Sequence, residues 1–175
     1  METKLKIDSG IKRIEVCDME EKPITVLKIN VADADTVNKF INLANKLDEI
    51  ANAGEEKSKV FKEKYKEYME QQFEDLPDEI REEVIVNASN IRIEVLENMI
   101  EEIDGLFGKD TIRNVFRECY EINEDFVPDE QALIDFINQI MPVMNELFDI
   151  RAQEIGKKYN PNRKQRERNN AGAYA

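Results

Sequence analysis

Between Pro77 and Ile103 the apolar residues recur at intervals of three or four: Ile80, Val84, Ala88, Ile91, Val95, Met99 and Ile103. A strand needs alternation at every second residue, so this spacing fits only a helix that buries one face. Pro77, followed by Asp78 and Glu79, supplies the start expected of such a helix: a proline early and acids beside the positive end of the backbone dipole. A single helix of this length commits the chain to helix-on-helix packing.

The same spacing recurs on both sides. Val37, Phe40, Ile41, Ala44, Leu47 and Ile50 predict a helix from Asp33 or Asp35, either of which can cap it, to Ala53, with Gly54 as a break. Residues 55–74 predict a more charged helix, with Val60, Phe61, Tyr65, Tyr68, Met69 and Phe73 on a narrow apolar face, expected to protrude. Asp104-Gly105-Leu106-Phe107-Gly108 breaks the pattern with two glycines. A short helix over 110–120 follows, presenting Ile112, Val115, Phe116 and Cys119. After a loop, Pro128 opens a long last helix that carries Leu133, Phe136, Ile140, Met144 and Leu147, with a kink expected at Pro142.

Only the first thirty residues read otherwise. Leu5 and Ile7, then Ile11, Ile14 and Val16, then Ile24, Val26, Leu27 and Ile29 form short β-branched runs. Turn signals at Asp8-Ser9-Gly10 and Met19–Pro23 separate them, so a three-stranded meander is expected. The fold class is thus α+β, mainly α. An N-terminal antiparallel β-meander (1–31) precedes a bundle of about five helices (32–159) and a disordered tail (160–175) without apolar periodicity. Six glycines and five prolines in 175 residues leave few turns, which suits long helices.

Charge is divided along the chain. From Lys157 onward there are six basic residues and one acid, Glu167, a net +5, which leaves −18 of the total −13 on residues 1–156. Such a body repels phosphate backbones and anionic membrane surfaces and favours basic partners, or simply stays in solution. The basic tail alone could offer nucleic acid only weak, salt-sensitive contact, so no specific nucleic-acid partner is expected. The opening METKLKIDSG has no apolar signal core, and no run is long enough to span a membrane. Cys17 and Cys119 lie among apolar residues and outside any CxxC pair, and are expected as buried free thiols.

Catalytic chemistry lacks its usual residues. The chain has no histidine, hence no Ser/His or Cys/His nucleophile and no imidazole ligand. No GxxxxGK[ST] or GxGxxG phosphate cradle is present, and no zinc spacing. Glu101, Glu102 and Asp104, and Glu121, Glu124 and Asp125, could form a hydrolytic pair or a Mg²⁺ site. With 38 acids in the chain, a solvated surface is the favoured reading of both clusters. No enzyme activity, cofactor or metal is expected. Leu106 and Phe107 fit either a flexible binding loop or a helix end that plugs into the core, and the core is favoured. Met141 and Met144 fit either an adaptable groove or the core, again with the core favoured.

Ile103-Asp104-Gly105-Leu106-Phe107-Gly108-Lys109-Asp110-Thr111, with Val115-Phe116 after it, resembles the I-D-x-x-F-G-x-x-T block of one protein family. So do the last helix from Phe136 to Phe148 around Pro142 and the closing Lys157-Lys158-Tyr159-Asn160-Pro161-Asn162-Arg163. The family is the tail assembly chaperones of long, non-contractile-tailed phages and prophages of Gram-positive bacteria. The 120–128 loop is longer than that family's. The resemblance implies a protein that binds the tape measure protein and keeps it soluble in the host cytoplasm during tail assembly, and that is absent from the mature virion. It also implies a frameshifted longer form that recruits the tail tube protein, while the free edges of the N-terminal meander could pair between copies into a homo-oligomer. Asp104, Leu106, Phe107, Phe116, Met141, Met144 and Phe148 are then the candidate partner-binding or structural residues. A scaffolding or adaptor protein of a phage particle is the competing reading, and a carboxylate-based metal-dependent hydrolase a remoter one.

Overall fold

The computed structural model describes residues 7–69, 71 and 75–159. Leu5, Phe73 and the tail over 160–175 lie outside them, and with them the closing Asn160–Arg163 of the family resemblance. The expected class is observed, an N-terminal antiparallel sheet followed by helices.

Strands β1 (Ile11–Cys17) and β2 (Pro23–Asn30) pair antiparallel with Ile14 opposite Leu27 and Lys12 opposite Ile29. Asp18 shapes the turn between them: its Oδ1 accepts the Glu20 N–H at 2.8 Å and the Lys22 N–H at 2.9 Å. The sheet has two strands among the described residues, not three, and Ile7 is exposed outside it. The Asp8-Ser9-Gly10 turn is present, with the Gly10 N–H donated to Asp8 Oδ1 at 2.9 Å. Gly10 sits at φ +72°, and a Cβ there would lie 2.4 Å from Ala32 Cβ, so the position excludes any side chain.

Helix α1 (Ala34–Lys64) starts at Asp33, whose carboxylate accepts the N–H groups of Asp35 and Thr36 at 3.2 and 3.3 Å. It does not stop at Gly54. One helix covers most of what the sequence divides into two, and only Tyr65 and the four-residue α2 (Lys66–Met69) end it. The physical reason is helix α3 (Asp78–Phe107), which crosses so close that a Cβ at Gly54 would sit 2.4 Å from Val95 Cγ2. Glycine here permits approach instead of ending the helix.

The two helices are antiparallel. Lys46 meets Glu102 at 2.7 Å, Lys57 meets Glu94 at 2.5 Å and Lys64 meets Glu83 at 2.8 Å, in opposite chain order. These solvent-facing pairs contribute little individually, about 0–1 kcal/mol. Over its described residues up to Tyr65, the segment expected to protrude instead lies along α3. Tyr65 is buried, and its hydroxyl hydrogen-bonds to the Glu83 carboxylate and accepts from Asn87 Nδ2 at 3.2 Å.

Helix α3 also outlasts its expected end. It runs through Gly105 and terminates at Gly108, whose φ of +112° favours glycine. The short helix expected over 110–120 is divided at Phe116 into α4 (Thr111–Val115) and α5 (Arg117–Ile122). Helix α6 (Glu130–Tyr159) is opened by Asp129, whose Oδ1 accepts the Ala132 N–H at 2.9 Å, and passes through Pro142 as one helix.

One core joins all of this. Ile29, Leu43, Ile103, Ile112, Leu133 and Met144 are fully buried, drawn from β2, α1, α3, α4 and α6. Arg117 donates to the Ile24 carbonyl at 2.9 Å, and Arg151 pairs with Asp8 at 3.2 Å, so both ends of the hairpin are tied to distant helices. Among the described residues no helix is long and apolar enough to cross a membrane.

Candidate functional site

Helix α6 carries more apolar surface than the chain covers. At 100° per residue its apolar positions fill an arc much wider than one packing face. Leu133, Phe136, Ile140 and Met144 point into the core. At one edge of the arc Val143 and Ile150 are 37% and 39% exposed, and at the other Ile134 is 42% exposed.

The Val143 edge faces the hairpin. Between them runs an open groove of about 550 Å³, lined by Ile14, Val16, Ile24, Phe116, Phe136 and Val143. Residues 14–17 of β1 form one wall and α6 the other, with Val115 and Phe116 also on the lining. Glu15 and Asp135 stand on its lining, so the apolar trough has an acidic border on a strongly acidic body. Such a trough can take the apolar face of an amphipathic segment whose flanks are basic. A smaller hollow, about 250 Å³, lies on the Ile134 edge against Ala44, Leu47 and Ile137.

The residues singled out from sequence are distributed differently. Leu106 and Phe107 are buried, with the Phe107 ring edge-on to Phe136 at 5.8 Å, so they plug the core as favoured. Met144 is fully buried and Met141 half-buried against the core. The Phe148 ring packs tilted against Phe40, with centroids 5.1 Å apart. Phe116 alone of the seven lines the larger groove, where it also packs near Phe126 at 6.3 Å. Ile14, Val16, Phe136 and Val143 were not among the candidates. The signal that could have found them is the excess width of the α6 apolar arc.

Asp104 has a local structural task. Its Oδ2 accepts the Asp110 N–H and its Oδ1 the Ile112 N–H, both at 3.0 Å, while Thr111 Oγ1 donates to the Gly108 carbonyl at 2.7 Å. Asp110 adopts a left-handed φ of 62° to make this turn. Burial pushes the Asp104 carboxyl above its ordinary value, against the pull of the two backbone donors. The Asp-Gly-Leu-Phe-Gly-Lys-Asp-Thr block is therefore a joint: it ends α3, turns, starts α4 and seals the corner with two apolar side chains.

No family model, curated protein or solved structure matches this chain.

The acid clusters do not converge. Glu102 is engaged by Lys46, Asp104 by backbone donors, and no group of three potential metal ligands exists among the described residues. Cys17 is exposed on the outward face of the sheet and Cys119 half-buried, which corrects the expectation of two buried thiols. Strand alternation turns Cys17 outward, despite its neighbour Val16.

Proposed function

We propose that this protein is a phage tail assembly chaperone that binds the tape measure protein and keeps it soluble until the tail tube polymerises around it. The observation that carries the reading is the apolar groove between the hairpin and α6 with acids on its border. A long amphipathic helix with basic flanks is the kind of client that fits it. The sequence resemblance of the joint at Ile103–Thr111 supplies the biological setting. Under this reading the protein acts in the host cytoplasm, is left out of the finished particle, and has a frameshifted longer form that engages the tail tube protein.

Co-expression with the tape measure protein is the direct test. The wild-type chain is expected to move that protein from the pellet to the supernatant. Val143→Glu places a charge in the trough at a position already open to solvent, and is expected to abolish the effect while the chaperone keeps its own helical circular dichroism. A tape measure protein equally insoluble with and without the wild-type chain would refute the reading. One solubilised equally by Val143→Glu would remove the groove from it.

A further inference from the structure

The two edges of the hairpin are not equivalent. The Val31 N–H donates to the Gly10 carbonyl at 3.0 Å, and residues 10 and 31 continue the register that sets Ile11 opposite Asn30. In an antiparallel ladder hydrogen-bonded pairs alternate with non-bonded ones. Residues 12, 14 and 16 therefore bond to β2, and Ile11, Arg13 and Glu15 turn their backbone N–H and C=O groups away from it. Among the described residues none of these outward groups has a backbone partner in another element. The β2 edge is partly covered: Arg117 occupies the Ile24 carbonyl and the Asp33 N–H the Asn30 carbonyl. A seven-residue strand edge left uncovered by the described residues is a template for another strand.

We infer that the β1 edge pairs with the β1 edge of a second copy of this chain, antiparallel and centred on Ile14, to make a continuous four-stranded sheet. Charge selects this arrangement. Centred on Ile14, it sets Arg13 directly opposite Glu15 of the second copy, and Glu15 opposite its Arg13, on the exposed outer face of the sheet. Centring on residue 13 or 15 brings like charges together, and pairing the same edges parallel sets the apolar inner face of one strand beside the outer face of the other. The same register sets Ile11, 47% exposed, opposite Cys17 of the second copy. The contact is isologous, so it closes as a dimer instead of propagating. It also brings two grooves to the same seam, because Ile14, Glu15, Val16 and Cys17 line the groove in each copy. The inference stands independently of the chaperone reading, since it needs no client.

Sedimentation of the purified full chain tests it, together with two sets of variants. The wild type is expected to be a dimer. Glu15→Arg sets arginine opposite arginine twice and is expected to weaken the dimer by about tenfold or more, through two symmetry-related pairs. Arg13→Glu combined with Glu15→Arg swaps the charges and is expected to restore it. Both positions are exposed, and circular dichroism checks that the fold persists. Ile11→Cys is expected to form an intermolecular disulfide with Cys17 on oxidation, because hydrogen-bonded pairs hold their Cα atoms about 5.5 Å apart, within disulfide reach. The same variant carrying Cys17→Ser is expected not to cross-link. A monomer at every concentration up to the millimolar range overturns the inference. So does a monomer whose Arg13 and Glu15 amides resist hydrogen exchange, which would assign the edge to another part of the same chain. A dimer indifferent to the charge swap, or one that fails to cross-link, overturns it equally.

Discussion

Replacing Gly54 by alanine separates two meanings of a glycine in this sequence. If Gly54 were a helix break, alanine would favour the helix and stabilise the protein by about 1 kcal/mol, the ordinary difference in helix propensity. In the structure Gly54 is buried within α1, and a Cβ would sit 2.4 Å from Val95 Cγ2. That is well inside van der Waals contact, so Val95 or the helix must move. Valine in a helix is held to essentially one χ1 rotamer, so it cannot simply swing aside. Overpacking of this kind costs about 1–3 kcal/mol. Offset by the propensity gain, the net expectation is a loss of about 1 kcal/mol. Val95→Ala removes the offending methyl. In that background Gly54→Ala is expected to change sign and stabilise by up to about 1 kcal/mol, so the two substitutions couple by roughly 2 kcal/mol. Urea unfolding of the four proteins, followed at 222 nm, measures the cycle. Stabilisation by Gly54→Ala in the wild-type background, or coupling near zero, would refute the close approach of α1 and α3 at this point.

Three further outcomes follow from the joint and the core. Phe107→Ala removes a buried ring packed edge-on to Phe136 and is expected to destabilise by about 3–5 kcal/mol, read as a large fall in the urea midpoint. Asp104 has a folded pKa raised above its ordinary 3.8, chiefly by burial, so its contribution to stability is fully present below that value and is lost as pH rises through the folded pKa. The stability of wild type relative to Asp104→Asn is therefore expected to decline from about pH 4 towards neutrality, and a flat or rising difference would contradict it. Gly108→Ala forces a side chain onto a φ of +112° and is expected to cost about 1–3 kcal/mol, whereas Gly105→Ala, inside α3 with open space around it, is expected to stabilise slightly; paired thermal melts distinguish the two.

The helices were legible because their apolar periodicity is local. Ile80 through Ile103 could satisfy their burial in only one way, and Asp33 announces a helix start through short-range hydrogen bonds. The errors fall at glycines. Gly54 and Gly105 read as breaks because propensity sees only the residue, while the structure decides whether a neighbouring helix needs the space, as Val95 does at Gly54. Of the two glycines read as the end of α3, Gly108 is the one that ends it, at a φ of +112° that favours glycine. The groove was not legible as a unit. Ile14 and Val143 are far apart in sequence, and no periodic pattern in either segment refers to the other. Only the excess width of the α6 arc hinted that a second surface was being built. In the same way, Asp104 stands out in the sequence as part of an acid cluster and of the Ile103–Thr111 block, but its task becomes visible only where the amides of Asp110 and Ile112 converge on it.

The attachment of the hairpin to α6 has a consequence for the order in which the molecule is made. β1 and β2 leave the ribosome first, yet Ile14, Val16 and Leu27 find their cover on α3, α4 and α6. At about 5–20 residues per second the hairpin waits on the order of ten seconds for residues 130–159 to appear. The antiparallel pair α1 and α3 can close in the meantime, since its contacts are comparatively near in the chain. A nascent chain stalled before α6 therefore holds a finished helical pair and an unfinished sheet, and the last helix to be translated is the one that completes the first element.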